Sequence, residues 1–472
     1  MQKIYDVAII GGGVVGCSIF SELSLCGKSV ILIEKELDVA TGMSKANSGL
    51  IHAGFDAMPG TKKALFNVQG SKMYPSLCKR LGLPIKSCGA YVVGNDIGVV
   101  KELYNRGIKN GVEELYVLNE KELRARLPML AEEITCGLYS NTASIIDPYL
   151  LTICLAEEGV INGGKVELGF EAQKIDQDSQ KYKIYGKNKV IFANKIINCA
   201  GAGFNEVSKL IGAEEYETKY RRGEYYVLDH SEANIVPSTI FPLPSKDGKG
   251  VLVTPTIDGN ILVGPTSYVS DESTKTTDFG LSDIRSKVSK MLTNVNLGKT
   301  IRVFSGVRVI VGDDFVIEKS KIKNGVINVA GICSPGLSSA PAISKYVVKE
   351  LLGYNIKHIN TNKIVPYFRL KDLSFNVQNK YIKSNPDYGK IVCKCEAISL
   401  GEIKDAINRP IRPTTMDGVK RRVRAGMGRC QGGFCSDKVA KILASENKVK
   451  MEDIVKEHKG GYYLCGDIGE DL

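Results

Sequence analysis

The chain has 472 residues, of which 43% are hydrophobic and 24% charged, values that are typical of a globular protein with two or three domains. Its net charge of +11 is spread over the whole length, which favours a basic surface that attracts an anionic substrate over a nucleic-acid-binding function. No stretch approaches the roughly 18 consecutive apolar residues of a membrane span. The start, MQKIYDVAIIGGG, lacks the basic segment and long apolar run of a signal peptide.

The N-terminal segments predict a β–α–β unit with a parallel sheet. YDVAII is typical of a buried strand, VVGCSIFSELSLCG has helical periodicity up to Gly27, and KSVILIEKE predicts a second buried strand. Gly11, Gly13 and Gly16 form G-x-G-x-x-G before the helix, and Glu34 follows about 20 residues later. Together these features predict a bound dinucleotide, with its phosphates at the helix N-terminus and a ribose hydroxyl at Glu34.

Two later segments predict further strands of the same sheet, KIINCAGAGF from Lys195 and GVINVAGICSPG from Gly325. Strands so far apart in the chain imply inserted segments between them. The β-rich runs GEYYVLD, GVLVTPTIDG and NILVGPTS, separated by turn residues, predict an antiparallel sheet in the second insert. We therefore expect an α/β plus α+β fold with these parts: a dinucleotide-binding domain (1–54, 146–219 and 316–365), a substrate domain (55–145 and 220–315), a linker (366–387) and a terminal domain (388–472).

Four cysteines of the terminal domain form two tight pairs, Cys393 and Cys395 in VCKCE, and Cys430 and Cys435 in GRCQGGFC. A disulfide is disfavoured, because most other cysteines stand alone in apolar surroundings, which is typical of a reducing, intracellular compartment. A zinc site usually takes ligands from C-x₂₋₄-C, so C-x-C is an imperfect match. Four thiolates can also hold a [2Fe–2S] cluster, with the glycines allowing backbone N–H groups to reach the sulfurs. Cys465 is expected to be structural.

Four segments, TGMSKANSGLIHAGF, IINCAGAGF, FSGVRVIVGDDFVI and NVAGICSPGLSSAPAIS, resemble the FAD-dependent D-amino-acid oxidase superfamily in order and spacing. The resemblance covers about residues 4–350. It implies a Rossmann-type FAD-binding domain interleaved with an antiparallel-sheet substrate domain, and FAD that takes hydride from a C–H beside an amine or a hydroxyl. The cofactor-binding residues that it implies are Gly11, Gly13, Gly16, Glu34, Lys35, Thr41, Ser44, Asn47, Ser48, Gly49, Leu50, Ala172, Ala200, Gly201, Gly331, Gly336, Leu337 and Ser338.

The segments YGKIVCKCEAISLGEIKDAI and DGVKRRVRAGMGRCQGGFC resemble the bacterioferritin-associated-ferredoxin-like [2Fe–2S] domain over about residues 388–440. This resemblance implies a [2Fe–2S] cluster with Cys393, Cys395, Cys430 and Cys435 as its ligands. The basic run from Lys420 to Arg429 has two interpretations, compensation of the cluster's charge or a docking face for an acidic partner.

Oxidation of an alcohol carbon needs a base that takes the hydroxyl proton, and an acidic substrate needs a cation that holds it in place. His52, in the flavin-facing loop, is a candidate base, although it could instead pack against the flavin. Arg308 matches the superfamily's substrate-binding arginine and could hold a carboxylate or phosphate in two parallel bonds, although a surface ion pair is the alternative. Arg222 and Tyr226 are candidate pocket residues. Asp56 stands where many glycerol-3-phosphate dehydrogenases carry an arginine, so a phosphate would need other cations, for example Lys62, Lys63 or Arg308.

Two subfamilies compete as the nearest resemblance. NSGLIHAG with MPGTKKALFNVQG resembles the L-2-hydroxyglutarate oxidase branch, and the cysteine domain resembles that of anaerobic glycerol-3-phosphate dehydrogenase catalytic subunits, with related domains in amino-acid and opine dehydrogenases. We expect an FAD-dependent dehydrogenase that oxidises sn-glycerol 3-phosphate to dihydroxyacetone phosphate. The alternatives are a 2-hydroxy acid such as L-2-hydroxyglutarate, an amino acid or opine, or an electron-transfer subunit without its own substrate.

The cluster implies a protein electron acceptor. In the resembling dehydrogenases this acceptor is another subunit, a second flavoprotein or a quinone-linked protein. We therefore expect a cytoplasmic protein in a hetero-oligomer, which could be peripheral to a membrane through that partner, and no nucleic-acid partner.

Overall fold

The computed structural model describes residues 3–178, 181–244, 250–271 and 273–464; Cys465 lies outside them. The strands in the described part are, in chain order, β1 (Ile4–Ile10), β2 (Val30–Ile33), β3 (Leu50–Ile51), β4 (Lys86–Ser87), β5 (Ala90–Gly94), β6 (Leu115–Asn119), β7 (Cys136–Ser140), β8 (Ser144–Ile145), β9 (Lys165–Glu167), β10 (Lys174–Asp178), β11 (Lys181–Tyr185), β12 (Val190–Asn198), β13 (Thr218–Leu228), β14 (Thr239–Pro242), β15 (Leu252–Pro255), β16 (Ile261–Gly264), β17 (Tyr268–Ser270), β18 (Thr300–Val311), β19 (Val316–Lys319), β20 (Val326–Ala330), β21 (Ile391–Cys393) and β22 (Ile398–Ser399).

The α-helices in the same residues are α1 (Val14–Leu25), α2 (Lys62–Leu81), α3 (Ile97–Asn110), α4 (Glu120–Arg126), α5 (Pro148–Ile161), α6 (Phe204–Ile211), α7 (Asp278–Ser289), α8 (Gly336–Tyr346), α9 (Phe375–Ser384), α10 (Leu400–Ile407), α11 (Met416–Val423) and α12 (Ser436–Asn447).

The first sheet has eight strands around β1. Strand β1 runs parallel to β2 and β12, β2 runs parallel to β9, and β12 runs parallel to β20. Strands β10, β11 and β19 add antiparallel pairs at its margins. Successive residues of β1, such as Val7 and Ala8, belong to two different hydrophobic clusters. Since their side chains point to opposite faces of the sheet, both faces of the strand are buried. The predicted parallel sheet and β–α–β unit are therefore confirmed.

The second sheet has nine strands and draws on both inserts. Strands β5, β6 and β7 come from the first insert, and β13 to β18 come from the second. All pairs are antiparallel except β5 with β14, which run parallel. The longest ladder joins β13 to β18 from Thr218–Val311 to Leu228–Thr300. One face of this ladder packs on α7, and the opposite face lines the cavity described below.

The terminal domain packs α10, α11 and α12 around a small core that includes Cys393 and Cys435. The stretch 366–387, which composition suggested to be a linker, contains α9 and is held at both ends. Arg369 forms an ion pair with Asp258 in the turn between β15 and β16, and Asp387, at the other end, forms an ion pair with Lys404 of α10 at 2.7 Å. This stretch therefore fixes the terminal domain against the rest of the chain.

Candidate functional site

The glycine motif forms a tight cradle at the start of α1. Gly11 has φ +114°, and a side chain at Gly11 or Gly16 would overlap main-chain atoms of Cys199 or Gly11. The Val14 N–H donates to Ser44 Oγ at 2.8 Å, and the Gly12 N–H donates to Glu34 Oε2 at 2.7 Å. This cradle fits a dinucleotide. Its helix N-terminus and closely packed glycines suit the phosphates, and the acid after the second strand suits the ribose.

A large cavity of about 1420 Å³ extends from this cradle to the second sheet. Every residue that the superfamily resemblance assigned to the cofactor lines this cavity except Ala172. Ala172 instead packs against the hydrophobic cluster between the first sheet and α6. Ala172 lies between β9 and β10 and is not brought together with the other candidates, so its contact with the cofactor stays a prediction.

His52 also lines the cavity, and the main chain around it is held on two sides. The His52 N–H donates to Ser338 Oγ at 2.8 Å, beside the start of α8. The amide of Asn67, in the orientation that satisfies both groups, donates to His52 O and accepts from the Gly54 N–H. The imidazole ring lies 5.9 Å from the ring of Phe241, centroid to centroid. The ring is thus positioned in the cavity by α2, α8 and the second sheet.

The cavity end beyond His52 is formed by the ladder of β13 and β18. Because side chains alternate between the faces of a strand, Arg221, Gly223 and Tyr225 face the cavity. Arg222 and Tyr226 face the other way: the Arg222 guanidinium donates to Lys275 O, and Tyr226 donates to Leu281 O at α7. The side chains on this strand that line the cavity are therefore those of Arg221 and Tyr225, one position before Arg222 and Tyr226, whose roles in substrate binding stay predictions.

Arg221 and Arg308 are directly opposite each other on the two strands. Arg221 Nη2 donates to Ser267 O at 2.7 Å, and Arg308 donates to Thr266 O at 2.8 Å and to Ser267 Oγ at 3.2 Å. A side chain at Gly223 would approach Arg308 Nη2 to 2.5 Å, so the glycine leaves room for that guanidinium. Two guanidinium groups side by side form a site for a multiply charged anion.

Tyr225 lies beside this arginine pair. Its ring stacks on that of Phe304 at 4.8 Å, and its hydroxyl is hydrogen-bonded to Ser48. Burial raises the pKa of Tyr225 to about 12, so its phenol stays protonated near neutral pH and can donate a hydrogen bond but cannot act as a base.

Lys62 and Lys63, the further candidates for a phosphate site, lie outside the cavity. Lys62 Nζ donates to Ile317 O at 3.3 Å, and Lys63 Nζ donates to Asp313 O at 2.8 Å. Asp314 caps the start of α2 by accepting from both backbone N–H groups, at 2.7 and 2.9 Å. These contacts direct both lysines toward β19 and the loop before it, so the structure does not bring Lys62 together with His52 and Arg308, and its role in substrate binding stays a prediction.

The four predicted metal ligands come together as two hydrogen-bonded thiol pairs, Cys393 with Cys435 and Cys395 with Cys430. The hydrogen bond from Cys435 lowers the pKa of Cys393 to about 6, and burial opposes this effect. Backbone N–H groups add to the thiolate stabilisation: those of Gly426 and Glu396 donate to Cys393, and those of Phe434 and Gly432 donate to Cys430. Thiolates that accept several backbone hydrogen bonds fit the ligand set of an iron–sulfur cluster.

The two thiol pairs include one solvent-exposed ligand. Cys393 and Cys435 are buried, whereas Cys395 is exposed and Cys430 is partly exposed. Phe434, between the last two ligands, is 83% exposed. None of the twelve cysteines in the described part of the chain forms a disulfide.

Most of the basic run is not a solvent-facing surface. Arg422 is buried against Asp38 at 2.7 Å, in the loop after β2. Arg424 is buried between Glu396 at 3.1 Å and Asp258 at 2.7 Å, in the second sheet. These arginines attach the terminal domain to the other two domains of the same chain.

The terminal domain also supplies part of the cavity wall, which sequence reasoning missed. Residues that line the cavity from this domain include Lys420, Arg421, Met427, Gln431, Glu457 and His458. The Tyr149 hydroxyl donates to Met427 Sδ at 3.5 Å across this boundary. No local pattern distinguishes a residue that faces a distant domain from one that faces solvent, which explains why the sequence carried no signal for this wall.

Comparison with known proteins agrees with the fold and with both expected cofactors. The profile of the FAD dependent oxidoreductase family matches residues 6–350, and that of the BFD-like [2Fe-2S] binding domain matches residues 391–445. The chain therefore belongs to the FAD-dependent oxidoreductase family, and its cofactors are FAD and a [2Fe–2S] cluster.

Among individual proteins, it is similar to glycerol 3-phosphate dehydrogenase of Caloramator mitchellensis, with 43% identity over 99% of this chain and 100% of that protein. The solved L-alpha-glycerophosphate oxidase of Mycoplasma pneumoniae with FAD bound has a TM-score of 0.74 and 30% identity, over 78% of this chain and 100% of that one. The mitochondrial L-2-hydroxyglutarate dehydrogenase of Pongo abelii is 28% identical over 74% of this chain and 87% of that protein. Within the described residues, no helix is both long and apolar enough to cross a bilayer.

Proposed function

We propose that this chain is an FAD-dependent dehydrogenase that oxidises sn-glycerol 3-phosphate to dihydroxyacetone phosphate. The observation that carries the proposal is the arginine pair, Arg221 opposite Arg308, in the same cavity as His52. A phosphate dianion can accept bonds from both guanidinium groups, whereas a single carboxylate needs one. The names of the relatives from Caloramator mitchellensis and Mycoplasma pneumoniae support the same substrate.

The reaction removes the hydroxyl proton and the C2 hydride of the substrate. Bound FAD supplies the hydride acceptor. His52 takes the hydroxyl proton, Arg221 and Arg308 hold the phosphate, and the Tyr225 hydroxyl can donate a hydrogen bond to the substrate. The hydrogen bonds from Arg221 and Arg308 to Thr266 and Ser267 hold both guanidinium groups in place before substrate arrives, which lowers the entropy cost of binding.

The electrons leave, in this proposal, through the [2Fe–2S] cluster to a separate electron-accepting protein in the cytoplasm. Support comes from the position of the ligands: buried Cys393 and Cys435 lie on the inner side, and exposed Cys395 lies on the solvent side. Phe434, the exposed aromatic residue beside these ligands, offers a contact for the acceptor.

Anaerobic titration tests the substrate. Addition of sn-glycerol 3-phosphate should bleach the flavin absorption of the purified protein, while L-2-hydroxyglutarate, glycine and L-proline should leave it unchanged. If only L-2-hydroxyglutarate bleached the flavin, the substrate would belong to the 2-hydroxy acids instead. Bleaching by none of these compounds, together with reduction by a reduced partner protein, would make the chain an electron-transfer subunit.

The arginine pair provides a sharper test with a matched control on the same strand. Arg221→Met should raise KM for glycerol 3-phosphate by about 10- to 100-fold, because it removes charged hydrogen bonds to the phosphate. Arg222→Met, on the opposite face of β13, should change KM by less than about twofold. Equal effects of the two substitutions would show that the phosphate lies elsewhere.

A further inference from the structure

Lys420 of α11 is a cavity-lining lysine whose ion pair is long. Its side chain is 16% exposed, and Asp417 Oδ1, its ion-pair partner, lies 3.8 Å from Nζ, beyond hydrogen-bonding distance. Burial lowers the pKa of Lys420 to about 8; Asp417 and Glu457 oppose this effect, while Arg302 and Lys456 add to it. A mostly buried ammonium group next to two further cations favours a bound anion.

Arg421, the next residue, has an unsatisfied donor. It is 4% exposed, and its Nη1 and Nη2 atoms donate to Glu457 at 2.7 Å and Asp38 at 3.1 Å. Its buried Nε has no hydrogen-bond partner among the residues that the structure describes. A buried guanidinium N–H without an acceptor is costly, so an acceptor from a bound molecule would stabilise it.

A short series of contacts connects Arg421 to the cradle at α1. Glu457, its partner, also forms an ion pair with Lys45. Lys45 directly follows Ser44, whose Oγ accepts from the Val14 N–H at the first turn of α1. The two cations of α11 therefore lie on the same side of the cavity as the helix N-terminus that receives phosphate groups.

We propose that Lys420 and Arg421 form an anion subsite that the [2Fe–2S] domain contributes to the FAD cavity, and that this subsite binds the diphosphate of FAD. The electron-relay domain is then also a cofactor-binding domain. The Mycoplasma pneumoniae oxidase matches 78% of this chain over its full length and was solved with FAD bound, so the core fold holds FAD without a counterpart of this domain. In the present chain the subsite adds to that basal affinity and retains FAD while the domain is docked.

Retention of FAD by the full-length holoenzyme tests the proposal. Lys420→Met should raise the FAD dissociation constant about tenfold or more, equivalent to ~1.4 kcal/mol, measured from the flavin fluorescence released on dilution. Lys441→Met is the matched control, because Lys441 belongs to the same domain, is 65% exposed and pairs with Asp437 on α12. Iron and sulfide per chain should be unchanged in both variants, which shows that the domain remains folded.

Reconstitution of the apoprotein with riboflavin separates contacts to the ADP part of the cofactor, which contains the diphosphate, from contacts to the flavin. Riboflavin has no phosphate, so Lys420→Met should leave its dissociation constant within about twofold of the wild-type value. The proposal is overturned if Lys420→Met retains FAD as the wild type does, or if it weakens FAD and riboflavin by the same factor. Both outcomes are independent of the substrate, since neither measurement involves turnover.

Discussion

At the scale of single residues, His52 has a main chain fixed by Ser338 and a ring in the cavity near Phe241. His52→Asn keeps the size and polarity of the side chain but removes the base. We expect kcat for glycerol 3-phosphate to fall by about 10²- to 10⁴-fold, with KM little changed, because the phosphate contacts remain. Steady-state kinetics with an artificial electron acceptor measure both parameters, and a kcat within a few-fold of the wild-type value would exclude His52 as the base.

The strand β13 shows what sequence alone can and cannot provide at this scale. The stretch RRGEYY does contribute to the cavity wall, but its two arginines and two tyrosines are adjacent, so no hydrophobic alternation indicates which member of each pair faces the cavity. Arg308 was singled out because its segment matches a superfamily motif. The correct choice of Arg221 depends on the register of β13 against β18, which is set by residues about 90 positions away.

At the scale of elements, helix α5 begins at a buried carboxyl group. Asp147 is 8% exposed and accepts from the Tyr149 and Leu150 N–H groups at 3.1 and 2.9 Å. Burial and the nearby Asp258 raise its pKa to about 8, so the folded protein keeps a proton that the unfolded chain releases near pH 4. The contribution of Asp147 to stability therefore decreases as pH rises from about 4 to 8.

Asp147→Asn removes this titration while keeping an N-cap of equal quality. The unfolding temperature of the variant, relative to that of the wild type, should rise steadily between pH 5 and pH 8. Asp96→Asn is the control, because Asp96 caps α3 by the same bonds to Gly98 and Val99 but is exposed. If the difference in unfolding temperature between Asp147→Asn and the wild type stayed constant with pH, the carboxyl group of Asp147 would have to ionise normally in the wild type.

The elements themselves were largely predictable. The strands around the glycine motif could be predicted from short apolar runs, because both faces of a parallel sheet are buried. The helix between them could be predicted from its helical period. The parallel pairing of β5 with β14 was not predictable, because it joins two inserts that are about 150 residues apart. Helix α9 was missed because its residues are partly or fully exposed, which gives no apolar face strong enough to distinguish it from a linker.

At the scale of the whole molecule, the ion pair between Asp38 and Arg422 connects the first and last domains. Asp38 is 1% exposed, and Arg422 bonds both of its oxygens, at 2.7 and 3.0 Å. Asp38→Asn leaves the buried guanidinium of Arg422 without a counter-charge, and we expect a loss of about 3–5 kcal/mol in the free energy of unfolding. Urea unfolding followed by the visible absorption of both cofactors measures this loss.

Asp229→Asn provides the comparison for Asp38→Asn, since Asp229 also pairs with an arginine of the terminal domain. Its partner Arg429 is 73% exposed, so water can replace the lost charge and stability should change little. Similar losses in both variants would contradict the special role of the buried pair. Two carboxylates that hold the basic run, Asp38 and Asp258, lie far upstream in the other two domains, and for this reason the run resembled an external docking face when only the sequence was considered.

The cavity that holds FAD is lined by residues from Gly11 near the start of the chain to His458 near its end. When only the first two domains have been synthesised, the glycine cradle and the arginine pair are present, but one wall of the cavity is missing. Biosynthesis therefore orders the events: the residues of the [2Fe–2S] domain have to be made before the wall of the cavity that they form can close.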